Sequence, residues 1–274
     1  MLEGMSAESR PLIMGVVNVT PDSFSDGGQF LAADAAVAHA RRLIAEGADM
    51  LDIGGESTRP GAAPVGEAEE IDRVVPVIEA IRRESGIPLS VDTMKPAVAR
   101  AAIAAGATMW NDVTALGWSA DSLPAAADLG CEVVLMHMRG EPRTMQAAPR
   151  YDDVVAEVAD FLAVRAEAAL AAGVAREKIW LDPGIGFGKT AEHSLALLRN
   201  LGRLVALGFP LLVGASRKSS IARIAGDASG ADQRLGGSIA IALAAARAGV
   251  AAIRVHDVAE TRQALAVARA IGDP

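Results

Sequence analysis

Residues 45–61 read Ala-Glu-Gly-Ala-Asp-Met-Leu-Asp-Ile-Gly-Gly-Glu-Ser-Thr-Arg-Pro-Gly, and this stretch contains the unit whose repetition predicts the fold. An Ala-rich segment with helical character ends at a glycine, which permits the left-handed turn that stops a helix. A short apolar run follows within a few residues, and a polar ending comes after it. The sequence holds eight such apolar runs with eight polar endings, so each unit reads as a helix, a strand and a loop.

The spacing between strand starts is mostly 20–45 residues, which is typical of alternating strands and helices. We expect strands near 12–17, 49–53, 88–91, 108–111, 132–136, 179–181, 211–214 and 251–255. We expect helices near 33–46, 67–85, 96–105, 121–129, 152–172, 192–207, 233–247 and 257–271. Eight alternating units favour an α/β fold, a single closed (β/α)8 TIM barrel, over a doubly wound sheet. The loops after strands 1 and 2, at 20–30 and 55–66, are the longest on one face.

The composition fits one large domain, expected over residues 11–274 after an N-terminal tail at 1–10. The net charge of −8 argues against a nucleic-acid partner, because such surfaces need clustered Lys and Arg. No run of about 18 uncharged apolar residues predicts a membrane span, and the first ten residues lack the apolar stretch of a signal peptide. We therefore expect a cytoplasmic protein, in which the single cysteine, Cys131, is a buried apolar residue.

Polar residues stand at or just beyond the ends of strands three, four and six: Asp92, Asn111 and Asp182. In a barrel, the carboxyl ends of all strands meet on one face, where the chemistry takes place. Ionised carboxylates only accept hydrogen bonds, so this set suits a planar heterocycle that carries several N–H groups. One such Asp alone would more often cap the following helix, but three together at strand ends favour a binding site.

Basic residues follow the last two strands, in Ser216-Arg217-Lys218 and Arg254-Val255-His256. The loops after strands seven and eight commonly bind phosphate in this fold. Arg254 and His256 alternate with Val255, so both point the same way and can hold an anion by charge-assisted hydrogen bonds.

The glycine-rich stretch Asp182–Thr190 fits neither the phosphate-loop pattern nor the dinucleotide pattern, because Pro183 and Lys189 occupy positions that need glycine. We expect its glycines to let the backbone approach a flat ligand, with Phe187 as one wall. In the second long loop, Thr58 and Arg59 are candidates to contact a second substrate. In the first, Asn18 and its polar neighbours offer the hard oxygen ligands that Mg²⁺ prefers. His137 is interpreted as structural.

These segments in combination resemble the dihydropteroate synthases of folate biosynthesis, and the resemblance runs from about Leu12 to Arg269. The motifs that carry it are Asn18–Gly28, Gly54–Gly61, Asp182–Lys189, Ser216–Lys218 and Arg254–Asp257. The family condenses 7,8-dihydropterin-6-ylmethyl diphosphate with 4-aminobenzoate and releases pyrophosphate. The resemblance implies an SN1-like transferase that uses Mg²⁺ and forms a homodimer, often through its last helices.

The resemblance also implies roles for residues at matching positions. The pterin would be bound by Asp92, Asn111, Met136, Asp182, Gly214 and Lys218. Catalysis would rest on Asp92, Asp182 and Lys218. The diphosphate would be held by Asn18, Arg254 and His256, with Mg²⁺ at Asn18. The 4-aminobenzoate site would be formed by Thr58, Arg59, Pro60, Phe187 and Ser216.

Alternatives remain at this point. A pterin-dependent methyltransferase shares the barrel and the hydrogen-bond acceptors at the strand ends. It needs neither the basic residues after strands seven and eight nor the loop that begins at Asn18. A pterin-binding paralogue without catalysis is a second alternative, and a general phosphate-binding barrel enzyme is a third. Trp110 departs from the family, which usually has a smaller aliphatic residue before Asn111. We expect its side chain to face the barrel packing, with an effect on the pterin pocket floor as the alternative.

Overall fold

The computed structural model describes residues 10–19, 28–57, 63–141 and 144–272. Its parallel strands are β1 (Leu12–Asn18), β2 (Met50–Gly54), β3 (Leu89–Asp92), β4 (Met109–Asp112), β5 (Glu132–Met136), β6 (Ile179–Asp182), β7 (Leu212–Val213) and β8 (Ala252–Val255). They form one sheet in the order β6-β5-β4-β3-β2-β1-β8-β7. A parallel bridge between Leu181 and Leu211 joins the two ends. The predicted (β/α)8 TIM barrel is therefore confirmed.

Helices connect the strands and surround the barrel. They are α1 (Gly28–Glu46), α2 (Glu67–Glu84), α3 (Pro96–Ala104), α4 (Ser122–Leu129), α5 (Val154–Ala172), α6 (Ala191–Arg199), α7 (Leu201–Val205), α8 (Ser219–Ala225), α9 (Leu235–Arg247) and α10 (Val258–Ala270). None of them, over the part of the chain described, has the length and apolar character needed to cross a bilayer.

Two helix predictions were wrong. The single helix expected over 192–207 is split at Asn200, whose side-chain amide donates to the Ala196 carbonyl at 2.8 Å. A side chain bonded to its own backbone competes with helix continuation, which explains the break. The seven-residue helix α8 was not predicted, because so short a segment shows too little periodicity to be recognised.

Alternation along the strands separates two layers of apolar packing. Side chains on the outer face of the sheet pack against the helices in the large cluster that includes Ile13, Leu51, Val91 and Trp110. Side chains inside the barrel form a smaller plug. Its members are Met14, Met50, Met109, Val134, Trp180, Leu212, Ala251 and Ala252. The plug closes the barrel below the carboxyl ends of the strands, so a ligand can enter only from above it.

Trp110 belongs to the outer layer. Its side chain is fully buried against the helix side of the sheet, and Nε1 donates to the Thr93 carbonyl at 2.8 Å. The expectation that Trp110 faces the packing is confirmed. The indole lies on the face of β4 opposite to Asn111, and the alternative, an effect on the floor of the pocket, stays a prediction.

Candidate active site

A layer of polar side chains lies inside the barrel, directly above the apolar plug. Residues two positions after the plug residues of a strand point the same way, because the side-chain period of a strand is two. The layer consists of Asp52, Asp92, Asn111, Asp182 and Arg254. Strand pairing sets Gly54 beside Asp92 and Asp92 beside Asn111, so residues far apart in sequence are neighbours here. The predicted gathering of Asp92, Asn111, Asp182 and Arg254 within one barrel is thus observed.

Arg254 bridges two carboxylates. Its Nε donates to Asp52 Oδ2 at 2.6 Å, and its Nη2 donates to Asp92 Oδ2 at 2.8 Å. Asn111 Nδ2 donates to the same Asp52 oxygen at 3.1 Å. Sequence reasoning missed Asp52, although the signal was present, since a carboxylate inside an otherwise apolar strand needs a partner. Four residues of the layer, Asp52, Asp92, Asn111 and Arg254, are therefore connected by hydrogen bonds rather than being separate acceptors.

Burial shifts the titration of the polar layer toward neutral pH. Desolvation, and next the negative charge of Asp52, raise the pKa of Asp92 to about 7. Desolvation raises the pKa of Asp182 to about 6, although the Gly184 N–H opposes the shift. Desolvation, followed by the positive charge of Arg254, lowers the pKa of Lys218 to about 8. The ionised carboxylates and the protonated Lys218 amine therefore coexist only over a narrow pH range around 7. A charged ligand can readily change the protonation states of these groups.

The loop after β6 brings Asp182, Phe187 and Lys218 together. Asp182 Oδ1 accepts a hydrogen bond from Gly184 N at 2.6 Å, which fixes the carboxylate. Gly184 has φ of 65°, and a Cβ there would lie 2.0 Å from the His137 carbonyl oxygen, so only glycine fits. Lys218 Nζ lies 4.0 Å from the centroid of the Phe187 ring. A carboxylate, an aromatic face and an amine thus lie close together at the carboxyl ends of β6 and β7.

Lys189 stabilises the loop after β6 by hydrogen bonds to its backbone. Its Nζ is 2.8 Å from His137 Nδ1 and donates to the carbonyls of Gly184 at 3.0 Å and Phe187 at 3.1 Å. Burial lowers the pKa of Lys189 to about 7. Burial, and next the charge of Lys189, lower the pKa of His137 to about 3. The interpretation of His137 as structural agrees with this geometry, but its lysine partner was not foreseen.

The basic residues after β7 and β8, at 216–218 and 254–256, carry less free positive charge than the sequence indicated. Arg217 has φ of 59°, and its Nε donates to Asp257 Oδ2 at 3.0 Å, so its charge is already paired. His256 Nδ1 lies 3.1 Å from Ser216 Oγ. Burial, and next the positive charge of Arg254, lower the pKa of His256 to about 3. His256 is therefore neutral at pH 7 and offers hydrogen bonds rather than a full charge.

Met136 and Gly214, which the resemblance assigned to the pterin, lie at the end of β5 and directly after β7. Met136 is buried in a small cluster with Met94 and Val113, against which Phe187 packs. A Cβ at Gly214 would come 3.7 Å from the Arg254 side chain. Met136 and Gly214 thus offer an apolar surface beside the polar layer, against which a flat ring can pack.

The loops after β1 and β2 are only partly described. Asn18 is exposed at the end of β1. Thr58, Arg59 and Pro60, predicted for the second substrate, lie outside the described residues, as does the rest of the first loop at 20–27. The base of the second loop is held by a buried ion cluster, in which Lys95 Nζ contacts Glu56 and lies 2.5 Å from Glu70 Oε2.

Asn18 is the residue on this face that the resemblance assigned to Mg²⁺. Within residues 10–19, 28–57, 63–141 and 144–272, no group of three or more His, Cys, Asp and Glu side chains is arranged to hold a metal ion. The exposed amide oxygen of Asn18 is a hard ligand of the kind that Mg²⁺ accepts when substrate phosphates supply the others. Asn18 therefore fits a Mg²⁺ ion that arrives with the substrate.

Comparison with known proteins gives consistent matches over almost the whole chain. The profile of the family described as pterin binding enzyme matches residues 14–256. Dihydropteroate synthase of Escherichia coli (strain K12) is 49% identical over 262 residues, which cover 96% of this chain and 92% of that protein.

Solved structures agree. Dihydropteroate synthase of Xanthomonas albilineans with 4-aminobenzoic acid has a TM-score of 0.90 and 54% identity, covering 96% of this chain and 93% of that one. The structure of the Xanthomonas albilineans enzyme in complex with 7,8-dihydropteroate has a TM-score of 0.87 and 50% identity, with coverages of 97% and 95%.

Proposed function

The chain belongs to the dihydropteroate synthase family of pterin-binding enzymes, and from this premise we propose how its own residues carry out the reaction. The activity is that of a transferase, which joins 7,8-dihydropterin-6-ylmethyl diphosphate to 4-aminobenzoate and gives 7,8-dihydropteroate and pyrophosphate. The polar layer above the apolar plug carries the assignment of roles, because it places fixed carboxylates and cations at the open end of the barrel.

The pterin is proposed to lie flat on the apolar surface formed by Met136 and Gly214, with its edge toward the polar layer. Ionised Asp182 accepts hydrogen bonds from the N–H groups of the ring, and Lys218 donates to the ring carbonyl. Asp92 and Asn111 meet the opposite edge. The short Gly184 bond to Asp182 supports this pose, since a carboxylate already held in place loses little entropy on binding.

Departure of pyrophosphate from the methylene leaves positive charge that spreads into the electron-rich ring. Asp92 and Asp182 stabilise this charge, because they are fixed in a poorly solvated site where charges interact strongly. The amine of 4-aminobenzoate is neutral at pH 7 and attacks the methylene without a strong base. Its surplus proton leaves to solvent or to the departing diphosphate. The role of Asp92, Asp182 and Lys218 is thus electrostatic.

The diphosphate is proposed to lie at the ends of β8 and β1. Two of the three guanidinium nitrogens of Arg254 are held by carboxylates, so we expect Nη1 to meet the diphosphate. Neutral His256 and Asn18 add polar contacts. Mg²⁺, when bound with the substrate at Asn18, supplies charge that neutralises the leaving group.

The 4-aminobenzoate site is proposed between Phe187 and Ser216, with Thr58, Arg59 and Pro60 of the second loop as its outer wall. Phe187 offers an aromatic face, and the adjacent Lys218 amine is 4.0 Å from its centroid. The Ser216 hydroxyl next to His256 is available for the carboxylate of the substrate. The Xanthomonas albilineans relative with 4-aminobenzoic acid supports a second substrate site in this fold.

A homodimer and a cytoplasmic location belong to the same proposal. Among the described residues, four of the six large apolar side chains that are exposed lie within or directly after the last three helices. They are Ile224, Leu235, Val267 and Ile271. Such surface supports an interface between copies that involves these helices.

The test is pyrophosphate release by purified protein supplied with the pterin diphosphate. We expect release to require both 4-aminobenzoate and Mg²⁺, and a sulfonamide to compete with 4-aminobenzoate. Pterin binding without release would support the non-catalytic alternative instead. Noncompetitive inhibition by the sulfonamide would contradict the location of the second site.

A further inference from the structure

Asp52 is a buried carboxylate for which neither family motifs nor strand-end position had suggested a role. It has no exposed surface and lies inside the barrel on β2, immediately above the apolar plug. Its Oδ2 accepts from both Arg254 and Asn111. Its Oδ1 is buried and has no hydrogen-bond partner among the described residues. Because an ionised group in such a place is costly, a purely structural residue there would more simply be apolar.

The geometry shows what Asp52 does to Arg254. The guanidinium is planar, so two bonds through Nε and Nη2 fix both its position and the orientation of its plane. The bond to Asp92 alone would leave the group free to pivot about that contact. With Asp52 on β2 and Asp92 on β3, the arginine from β8 is held across three strands.

The charges of Asp52, Arg254 and Asp92 also support a functional role for Asp52. Arg254 is one positive charge paired with the two carboxylates of Asp52 and Asp92, so the three groups together carry a net negative charge when both carboxylates are ionised. Without Asp52, the whole positive charge of Arg254 would bear on Asp92. Arg254 and Asp92 would then neutralise each other and leave no net negative charge toward a cationic pterin. The network therefore matters for the electrostatics of the reaction as well as for packing.

We propose that Asp52 is a positioning residue of the synthase reaction, which fixes Arg254 in the barrel and gives the group of Asp52, Arg254 and Asp92 a net negative charge toward the pterin. It acts through Arg254 and Asn111 rather than by contact with the reacting atoms. The inference rests on the proposed roles of Arg254 and Asp92, but it makes separate predictions.

The first test is Asp52→Asn, which keeps the shape and removes the charge. We expect kcat/KM for the pterin diphosphate to fall on the order of 10²-fold, as misplacement of a catalytic array does. The KM for 4-aminobenzoate should stay within about twofold, since its site lies on the Phe187 side. In the Arg254→Met background, Asp52→Asn should add little further loss. Equal losses in both backgrounds, or an unaltered kcat/KM, would overturn the inference.

A second readout needs no turnover. The carboxyl titration of Asp92, followed by NMR and assigned with Asp92→Asn, should move to lower pH in Asp52→Asn, because the charge of Asp52 helps to raise the pKa of Asp92. The charges of Arg254 on β8, Glu70 on α2, Asp112 on β4 and Lys218 before α8 also act on Asp92, and these residues are unchanged in this comparison. A titration that stays in place would contradict the proposal.

Controls separate the possible failures. Thermal unfolding reports whether Asp52→Asn folds, and Asp52→Ser, which leaves room for a water beside Arg254, replaces it in every measurement if it does not. Wild-type protein that fails to release pyrophosphate counts against the proposed function, and the NMR comparison still decides the role of Asp52. Active wild type with an unaltered variant counts against the role of Asp52 alone.

Discussion

At the scale of single residues, the titration of Asp92, Asp182 and Lys218 leads to a pH prediction. The carboxylates, with pKa values of about 7 and 6, must be ionised to bind and stabilise the pterin. Lys218, with a pKa of about 8, must be protonated to donate. We expect kcat/KM for the pterin diphosphate to rise as pH increases through 6 to 7 and to fall above about 8. Rates of pyrophosphate release between about pH 5 and pH 9 provide the measurement.

Trp110 allows a stability prediction with a matched control. Trp110→Phe removes the hydrogen bond to Thr93 and part of a fully buried ring, so we expect a loss of about 1–3 kcal/mol in the free energy of unfolding. Trp118→Phe, at a half-exposed position, should stay within about 0.5 kcal/mol. Chemical denaturation measures both. A changed KM for the pterin in Trp110→Phe would show that the indole affects the floor of the pocket from the outer face of β4.

Residue identity alone predicted much of the site but not its connections. The sequence showed three of the site residues because each lies at a strand end, where polar residues of a barrel commonly bind a ligand: Asp92, Asn111 and Asp182. Asp52 was not recognisable, because a residue inside an apolar strand is interpreted as part of the core until its neighbours in space are known. The neutral state of His256 was likewise beyond the sequence, because it depends on burial and on the charge of Arg254.

At the scale of elements, the loop after β6 is expected to depend on Lys189. Lys189→Met removes the donor to the Gly184 and Phe187 carbonyls, so Phe187 should lose its fixed position. We expect the KM for 4-aminobenzoate to rise about tenfold, which corresponds to about 1.4 kcal/mol, with a smaller change for the pterin diphosphate. Steady-state kinetics with each substrate varied in turn would measure this.

The chain supplies a matched control for that experiment. Lys178 also donates to a backbone carbonyl, that of Gly130, but it lies just before β6 at the far end of the barrel. Lys178→Met should leave both KM values unchanged. His137→Asn, which keeps an acceptor near the Nδ1 position, should be milder than His137→Leu. The role of Lys189 would be refuted by equal KM values in Lys189→Met and Lys178→Met.

Strands were easier to predict than helices in this chain. Each strand is a short apolar run that ends at a change to polar residues, and all eight lie at the predicted places. Helix boundaries depended on weaker signals. The break at Asn200 comes from one side-chain hydrogen bond, and α8 depends on its place after β7 rather than on its own pattern.

At the scale of the whole molecule, the proposed dimer can be tested by one charge. Val267 on α10 is 55% exposed and Val164 on α5 is 65% exposed. A buried unpaired carboxylate in an interface is unfavourable, so Val267→Glu should weaken the dimer while Val164→Glu should not. Sedimentation over a concentration series measures the dissociation constants. A monomeric wild type, or equal dimerisation of both variants, would refute an interface at α10.

The sequence by itself determined the barrel, because strand runs, glycine stops and helical segments are local signals repeated eight times. It also determined which strand-end residues share one face of the barrel, since the fold gathers all carboxyl ends there. Only the tertiary structure decided the state of those residues. Arg254 meets Asp52 across 202 positions and Asp92 across 162. Distances and burial across neighbouring strands set charge pairing and pKa values, and no local pattern in the chain encodes them.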